Sequence, residues 1–356
     1  MNNKQKNSSI ELLRIICMIL IIAHHYRLNT SAAVLNRVNF SGTKVYINAI
    51  AMFGKAACSV FALITGYYMI NANIDWKKIK RKVFSLLALG TFYSIIIYLI
   101  FILFFNEKLT FKGAIRALFP FIYGESWYVA YYILLLLCIP FINIVIHKIE
   151  QQLYKKILLI ILFVWSLIPT IFCVDLEFSY IDFFIVMYII GAYIRLYPNK
   201  TENNLKNICI VIISAVIIII SILVNFSLGI ALESDYFMGN TISFMNINNI
   251  INVIFSIYLF KTFIYYNYYN KVINFISGTI LGIYIIHDNS YIRKWLWYEI
   301  YPNNQYVNKP YLHSVVKITL VFVICFIIEL IRKYVILKPI EKIYKKHKKK
   351  KIVQQN

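Results

Sequence analysis

The sequence predicts an all-α integral membrane protein: a polytopic bundle of about ten transmembrane helices with N- and C-termini in the cytoplasm. The chain has 356 residues, of which 60% are hydrophobic and 15% charged. Its apolar runs are roughly twenty residues long, which is the length a helix needs to cross a bilayer. Because barrel strands are much shorter and alternate in polarity, these runs are expected to be helices.

The predicted spans follow one another without an intervening soluble domain. We therefore expect one integral domain over residues 1–340 and a basic cytoplasmic tail over residues 341–356. The helix count depends most on the eighth span, which is short and contains Asn252. In chain order, the predicted spans are Ser9–Leu28, Val45–Ile70, Val83–Phe105, Trp127–Ile146, Ile157–Cys173, Tyr180–Leu196, Asn207–Ile230, Asn248–Phe263, Val272–Ser290 and Leu312–Ile331.

The distribution of charge predicts the orientation of the bundle. The formal net charge is +22, and most of the 37 Lys and Arg residues fall in the termini and alternate loops that share one side of the membrane. This bias fits the positive-inside rule with both termini in the cytoplasm. The basic run Lys345–Lys351 is expected to lie on anionic lipid headgroups. No aromatic-basic groove or known module accompanies the charge, so nucleic acid is not an expected partner.

The six cysteines predict neither a disulfide framework nor a metal site. They are scattered through apolar runs, and no two form a CxxC pair. Such cysteines are typical of small core hydrophobic residues.

The first predicted span is apolar but contains the ionisable side chains of Arg14, His24 and His25. Arg14 and His25 are eleven residues apart, which leaves them about 20° from exact alignment on one helix face with a rise of about 16 Å. His24 is rotated by about 80° from Arg14 and is expected to point toward a neighbouring helix or the lipid. Because a cation in hydrocarbon costs at least a few kcal/mol, this face predicts a functional cavity. An alternative is that Arg14 snorkels to the headgroups while the histidines cap the outer end.

The combination of the Arg14 cation with His25 predicts a type of reaction. A neutral imidazole can take a proton from a hydroxyl that attacks a carbonyl, and the Arg14 guanidinium can hold phosphates of a cytosolic donor. Glu11, three residues before Arg14, can pair with it on the cytoplasmic turn. Together His25 and Arg14 predict acyl transfer from an anionic carrier.

Several segments are similar to those of one known family. The Arg14-x10-His25 spacing and the run Cys58–Tyr68 resemble motifs of the membrane-bound acyltransferase family 3, with Thr65 in the usual serine place. Three further landmarks stand in the expected order: Trp127-Tyr128, Tyr188–Arg195 and Leu281–Asp288. The resemblance covers essentially the whole chain.

This resemblance implies a multi-pass enzyme of the bacterial cytoplasmic (inner) membrane. It implies an acyl-CoA donor, most simply acetyl-CoA, taken from the cytoplasm, with no metal required. The implied acceptor is a hydroxyl of a surface polysaccharide or lipid-linked sugar. His25 is then the catalytic base or a transient acyl acceptor, and Arg14 holds the CoA phosphates.

Other residues are candidates for donor binding. Many family members have an Arg-x-x-Arg pair after the second helix, whereas this chain has Lys78 and Arg81 at that spacing. A lysine lacks the bidentate fork of arginine, and a plain positive-inside cluster is an alternative explanation for both. Lys55, within the second span, is expected to meet a cofactor phosphate or a cluster of carbonyls.

A last group is expected to bind substrate or support the site. Each member has a structural alternative, namely close helix packing, an interfacial aromatic anchor or a polar helix end. His287-Asp288 is expected either to bind the acceptor sugar or to orient His25. The group comprises His24, Thr65, Gly66, Tyr67, Trp127, His287 and Asp288.

The competing class is a multi-pass transporter or flippase for a polysaccharide precursor or a small anion. In that case Arg14 and His25 would line a translocation path. Transporters often have Gly/Pro-broken helices in two matching halves. Here prolines within the spans lie only near helix ends, as at Pro140 and Pro169, and no internal repeat is found. These observations favour the enzyme.

Overall fold

The computed structural model describes residues 6–30, 42–72, 75–174, 179–199, 201–239, 246–300 and 310–339. This part of the chain is helical and contains no strand, which confirms the all-helical prediction. The predicted basic tail lies outside the described residues. In chain order, the helices are α1 (Ser8–Leu28), α2 (Gly42–Ala51), α3 (Gly54–Met69), α4 (Trp76–Phe104), α5 (Phe111–Leu118), α6 (Trp127–Ile146), α7 (Gln151–Phe172), α8 (Tyr180–Leu196), α9 (Asn204–Ala231), α10 (Asp235–Gly239), α11 (Ile250–Ile264), α12 (Lys271–Ser277), α13 (Ile280–Asp288), α14 (Ser290–Lys294) and α15 (Pro310–Ile331).

Three segments within these helices or at their ends form π-helical turns. One interrupts α7 at Phe163–Leu167, one continues α14 as Trp295–Glu299, and one continues α15 as Arg332–Leu337.

Seven helices in the described part of the chain are long and apolar enough to cross a membrane. They are α1, α2 continued by α3, α4, α6, α7, α9, and α15 with its π-helical extension. The predicted count of about ten is therefore not confirmed. The other three predicted spans form shorter helices: α8 has 17 residues, α11 has 15, and the ninth span divides into α12 and α13 around Gly278 and Thr279.

The helices differ in how much they face lipid. More than half of the apolar window of α1 and of α2–α3 is buried within the bundle, at 56% and 67%, against 22% for α9. The lipid-facing surface of α9 exposes large aliphatic side chains such as Ile212, Val216 and Ile220. The chain is thus a multi-pass membrane protein with α1 and α3 at its centre.

Close contact of α3 with α8 depends on two glycines. A Cβ atom on Gly66 would collide with the carbonyl oxygen of Tyr188, and one on Gly191 would collide with the carbonyl oxygen of Leu63. The two helices therefore approach backbone to backbone, as small residues allow in membrane bundles. Close helix packing therefore explains why a glycine stands at position 66. The same crossing fixes the positions of the neighbouring residues Thr65 and Tyr67.

The start of α1 is held by short polar side chains. The side chain of Asn7 caps the helix by accepting a hydrogen bond from the Ser9 amide at 3.0 Å. The Ser9 hydroxyl donates to the Phe263 carbonyl at 2.7 Å, and the Ser8 hydroxyl donates to the Asn274 side chain at 3.0 Å. These bonds tie α1 to α11 and α12 and so fix the register of its ionisable face.

Candidate active site

Two histidines from different helices meet inside the bundle. The Nε2 atom of His287, on α13, lies 3.0 Å from Nδ1 of His25, on α1. The ring of His287 is fully buried, and the His25 side chain is 14% exposed. His287 is one of the partners predicted for His25 from the sequence, and the structure brings the two rings into direct contact.

The hydrogen bonds of His287 define which nitrogen atoms carry protons. Its Nδ1 lies 2.7 Å from the carbonyl oxygen of Ile283, which can only accept. We therefore assign the proton of neutral His287 to Nδ1, which leaves Nε2 to accept from His25 Nδ1. The remaining nitrogen of neutral His25, Nε2, is then an unprotonated acceptor.

A carboxylate faces that open nitrogen. The Oδ1 atom of Asp288 lies 3.9 Å from His25 Nε2, beyond hydrogen-bond distance but close enough to stabilise an imidazolium. The buried carboxylate accepts a 2.9 Å bond from Arg293 Nη2 and a hydrogen bond from the Tyr284 hydroxyl. Arg293 also donates to the Asp288 carbonyl at 2.7 Å. The site thus combines a free base with a fixed counter-charge.

His24 faces a different helix, as its rotation on α1 predicts. Its Nδ1 lies 3.0 Å from the Ala51 carbonyl, and Gly54 lies so close that a Cβ atom there would meet the His24 side chain. The His24 ring therefore contacts the junction of α2 and α3 rather than Asp288, the carboxylate next to His287.

Arg14 lies at the other end of the same face of α1. Its Nη1 donates to Glu11 Oε2 at 2.9 Å, which confirms the predicted pair. The same Glu11 oxygen accepts a hydrogen bond from the Ser277 hydroxyl. The Arg14 side chain remains 29% exposed, so its guanidinium keeps donors for a ligand.

A cavity of about 380 Å³ extends from Arg14 into the bundle, and we call it the donor cavity. Its wall combines aliphatic side chains with polar tips: Arg14, Met18, Ile21, Phe61, Ile64, Thr65, Tyr68, Met69, Lys82, Ser85, Leu86, Tyr128, Val129, Tyr132, Leu136, Ile280, Leu281 and Tyr284. Ile21 precedes His25 by one helical turn, and Tyr284 bonds Asp288. The donor cavity therefore leads from the cation toward the histidine pair.

The predicted phosphate-binding residues are distributed differently. Lys78 and Arg81 are exposed on the first turns of α4, while Lys82, from the same basic cluster, lines the donor cavity and bonds Met69 Sδ at 3.5 Å. Lys55 lies over aromatic rings, 5.0 Å from the centre of Trp127 and 5.8 Å from that of Tyr180. The predicted roles of Lys78, Arg81 and Lys55 stay predictions.

The remaining predicted residues fall into two groups. Thr65 lines the donor cavity and donates its hydroxyl proton to the Phe61 carbonyl at 3.0 Å. Tyr67 faces another pocket, where its hydroxyl accepts a 3.0 Å bond from Arg195. Trp127 packs against Tyr180 at a ring distance of 4.2 Å, which is compatible with the interfacial anchor considered from the sequence.

Tyr284, Arg293 and Lys82 are site residues that the sequence did not single out. Tyr284 precedes Asp288 by four residues and Arg293 follows it by five, so helical spacing could have placed Tyr284 on the Asp288 face. Tyrosine is too abundant here, with 29 copies, for that spacing to single it out. The described residues contain no group of three or more His, Cys, Asp or Glu side chains placed to hold a metal ion.

The fold and the site define a class: a helical membrane protein with a buried base beside a cavity that a cation closes at one end. The chain belongs to acyltransferase family 3, since the family profile, described as an acyltransferase domain, matches residues 7–330. Neither the comparison with curated proteins nor that with solved structures found a significant match. The family resemblance noted in the sequence is thereby confirmed, and the chain is a membrane acyltransferase.

Proposed function

We propose that the protein is an O-acetyltransferase of the bacterial inner membrane. It takes acetyl from cytosolic acetyl-CoA and transfers it to a hydroxyl of a surface polysaccharide or lipid-linked sugar at the outer face. The single observation that carries this proposal is the hydrogen bond from His25 Nδ1 to His287 Nε2, because it leaves His25 Nε2 free to accept a proton. Family membership supports the general activity.

In the proposed reaction, His25 acts as a general base. The acceptor hydroxyl gives its proton to His25 Nε2 while its oxygen attacks the thioester carbonyl. The carbon–sulfur bond then breaks, and the imidazolium returns the proton to the departing CoA thiolate. The products are the sugar acetate and free CoA. Asp288, 3.9 Å from Nε2, stabilises the transient imidazolium.

Arg14 and Lys82 serve the donor. Both line the end of the donor cavity away from the histidine pair, and a guanidinium and an ammonium can bind phosphate oxygens. The rise of about 16 Å from Arg14 to His25 along α1 suits a donor with its phosphates at one end and its thioester at the other. The aliphatic and aromatic wall keeps the thioester from bulk water.

The experiment measures free CoA released from acetyl-CoA by the purified protein in nanodiscs, with cell-envelope glycan as acceptor. Because a general base contributes about 10²- to 10⁴-fold, we expect His25→Ala to lower the rate by that factor. We expect Arg14→Met to raise the KM for acetyl-CoA while leaving kcat nearly unchanged. His147→Ala is the matched control, since that ring bonds the Ile70 carbonyl at 3.0 Å and does not line the donor cavity.

Two outcomes would contradict the proposal. A folded His25→Ala protein with the full rate would exclude His25 as the base. A folded wild-type protein that does not bind acetyl-CoA would favour the transporter or flippase, which has no reason to bind this donor.

A further inference from the structure

A second pocket opens at the end of the bundle where α1 begins. It has a volume of about 660 Å³ and lies between the ends of α3, α8 and α11 and the start of α9. Four tyrosines and one ion pair dominate its polar wall, and we call it the tyrosine pocket: Tyr67, Tyr193, Tyr197, Tyr258, Glu202 and Lys261.

The tyrosine pocket adjoins the donor cavity through consecutive residues of α3. Tyr68 lines the donor cavity and Tyr67 lines the tyrosine pocket, with their ring centres 5.3 Å apart. Tyr68 interacts electrostatically with both Arg14 and Arg195. The side chains of Arg14 and Arg195 are therefore both near Tyr68.

Arg195 contacts Tyr67 beside the tyrosine pocket, where its guanidinium can bind an anion. Its guanidinium lies 4.9 Å from the centre of the Tyr67 ring, and Nη1 donates to the Tyr67 hydroxyl at 3.0 Å. The side chain is exposed, and no ion pair between Arg195 and a carboxylate occurs among the described residues. Stacked in this way, the planar fork keeps further donors available for phosphate oxygens.

The wall of the tyrosine pocket fits a purine. Tyrosine rings offer flat faces on which a base can stack. The Lys261 ammonium pairs with the Glu202 carboxylate, which places a hydrogen-bond donor beside an acceptor. The edge of adenine presents the opposite pattern, with an amino donor at N6 beside the ring acceptor N1.

The length of the donor makes this neighbouring space relevant. A donor with its thioester at His25 spans the rise of about 16 Å to Arg14 with its extended pantetheine arm, along the donor cavity. The nucleotide must lie beyond Arg14. The tyrosine pocket is adjacent, larger, and lined by groups that suit it.

Resting on the proposed function, we propose that the tyrosine pocket binds the adenosine of the acyl-CoA donor. The purine stacks on the tyrosines, Glu202 and Lys261 contact its edge, and Arg195 with Arg14 holds the pyrophosphate between the two spaces. The donor site then consists of two compartments, one for the acyl-pantetheine arm and one for the nucleotide.

The test compares two donors on the purified full-length protein in nanodiscs. Acetyl-CoA has the adenosine, whereas S-acetyl-4′-phosphopantetheine lacks it. We expect the wild type to bind acetyl-CoA more tightly and to release it in the presence of adenosine 3′,5′-bisphosphate. Tyr197→Ala and Lys261→Gln are each expected to weaken acetyl-CoA binding about tenfold, since stacking and polar contacts to a base contribute on that scale. Neither should change the affinity for the truncated donor.

Arg195→Gln provides a different signature, because it is expected to weaken both donors through their shared phosphate. Tyr269→Ala and Lys206→Gln are matched controls, as both side chains are exposed near this end and neither lines the tyrosine pocket. Both controls should bind the two donors like the wild type.

The outcomes separate the two proposals. Pocket variants that fold and weaken both donors equally, or a bisphosphate that does not compete, would overturn the adenosine site while the acetyltransferase stands. A wild type that binds neither donor would overturn the proposed function and the adenosine site with it. Thermal unfolding of each variant shows whether a loss of binding reflects a loss of fold, and Arg195→Gln changes only an exposed side chain.

Discussion

Tyr284 lines the donor cavity while its hydroxyl hydrogen-bonds the carboxylate of Asp288, one turn further along α13. This bond links the wall of the donor cavity to the counter-charge of His25. The ring of Tyr284 also contacts His287, with 5.8 Å between ring centres. One tyrosine therefore touches the donor space, the carboxylate and the second histidine.

We expect Tyr284→Phe to lower kcat with little change in the KM for acetyl-CoA. The ring and the shape of the cavity are retained, but Asp288 loses one of its donors. A hydrogen bond to a charged group contributes about 1.5–3 kcal/mol, so a decrease of roughly ten- to a hundredfold is expected. Steady-state kinetics checks it, with Tyr132→Phe, a second tyrosine of the donor cavity, as control. A selective rise in KM would assign Tyr284 to donor binding instead.

A second prediction concerns the acceptor nitrogen of His287. His287→Ala removes the group that holds His25 Nδ1 at 3.0 Å, and we expect about 10- to 100-fold lower activity, because a buried donor left without its acceptor costs about 1–3 kcal/mol. His287→Gln offers a carbonyl oxygen in a similar place and should recover part of the rate. Because His25 must be neutral to act as a base, activity should rise with pH in every active variant. Equal activity of the Ala and Gln variants would contradict the orienting role.

The crossing of α3 and α8 gives a prediction about stability. Gly66→Ala and Gly191→Ala each introduce a Cβ atom against a backbone carbonyl of the other helix. Overpacking of this kind costs about 1–3 kcal/mol, so both variants should unfold at lower temperature than the wild type in the same detergent. Gly42→Ala is the control, because the nearest atom to its added Cβ is the Tyr311 hydroxyl oxygen at 3.9 Å. Unchanged melting of the Gly66 and Gly191 variants would refute the backbone contact.

Orientation in the membrane can be measured with two exposed lysines. Lys112, in α5, and Lys206, in α9, lie at opposite ends of the bundle according to the predicted topology. In intact cells, a membrane-impermeant maleimide should label Lys112→Cys but not Lys206→Cys, measured above the wild-type background. After the membrane is opened, both should react. The reverse pattern in intact cells would place the N-terminus outside.

The sequence alone was sufficient to predict relations between residues of one helix, because helix geometry sets them. The spacing of Arg14 and His25 predicted a shared face; in the structure Arg14 lines the donor cavity, and Ile21, one turn before His25, lines it as well. The pair Glu11–Arg14 was predicted from a three-residue separation and is present at 2.9 Å. Such relations lie within one helix and need no knowledge of packing.

Contacts between residues of different helices could not be predicted from the sequence in the same way. His287 was recognised as a candidate, but its contact with His25 depends on how α13 packs against α1. Lys82 was passed over for Lys78 and Arg81, because a basic run does not reveal which side chain turns toward a cavity. The predicted count of about ten spans is not confirmed: hydropathy does not detect the break at Gly278, and α8 has the predicted bounds but only 17 residues.

Gly66 stands between Thr65, which lines the donor cavity, and Tyr67, which lines the tyrosine pocket. Because its backbone rests directly on that of Tyr188, no side chain lies at this crossing, and the backbone positions of Thr65 and Tyr67 are fixed relative to α8. A bidentate inhibitor with one group for each compartment can therefore use a short linker matched to this fixed backbone. Such a linker would give its second group an effective concentration of about millimolar, so the glycine crossing provides a fixed template for inhibitor design.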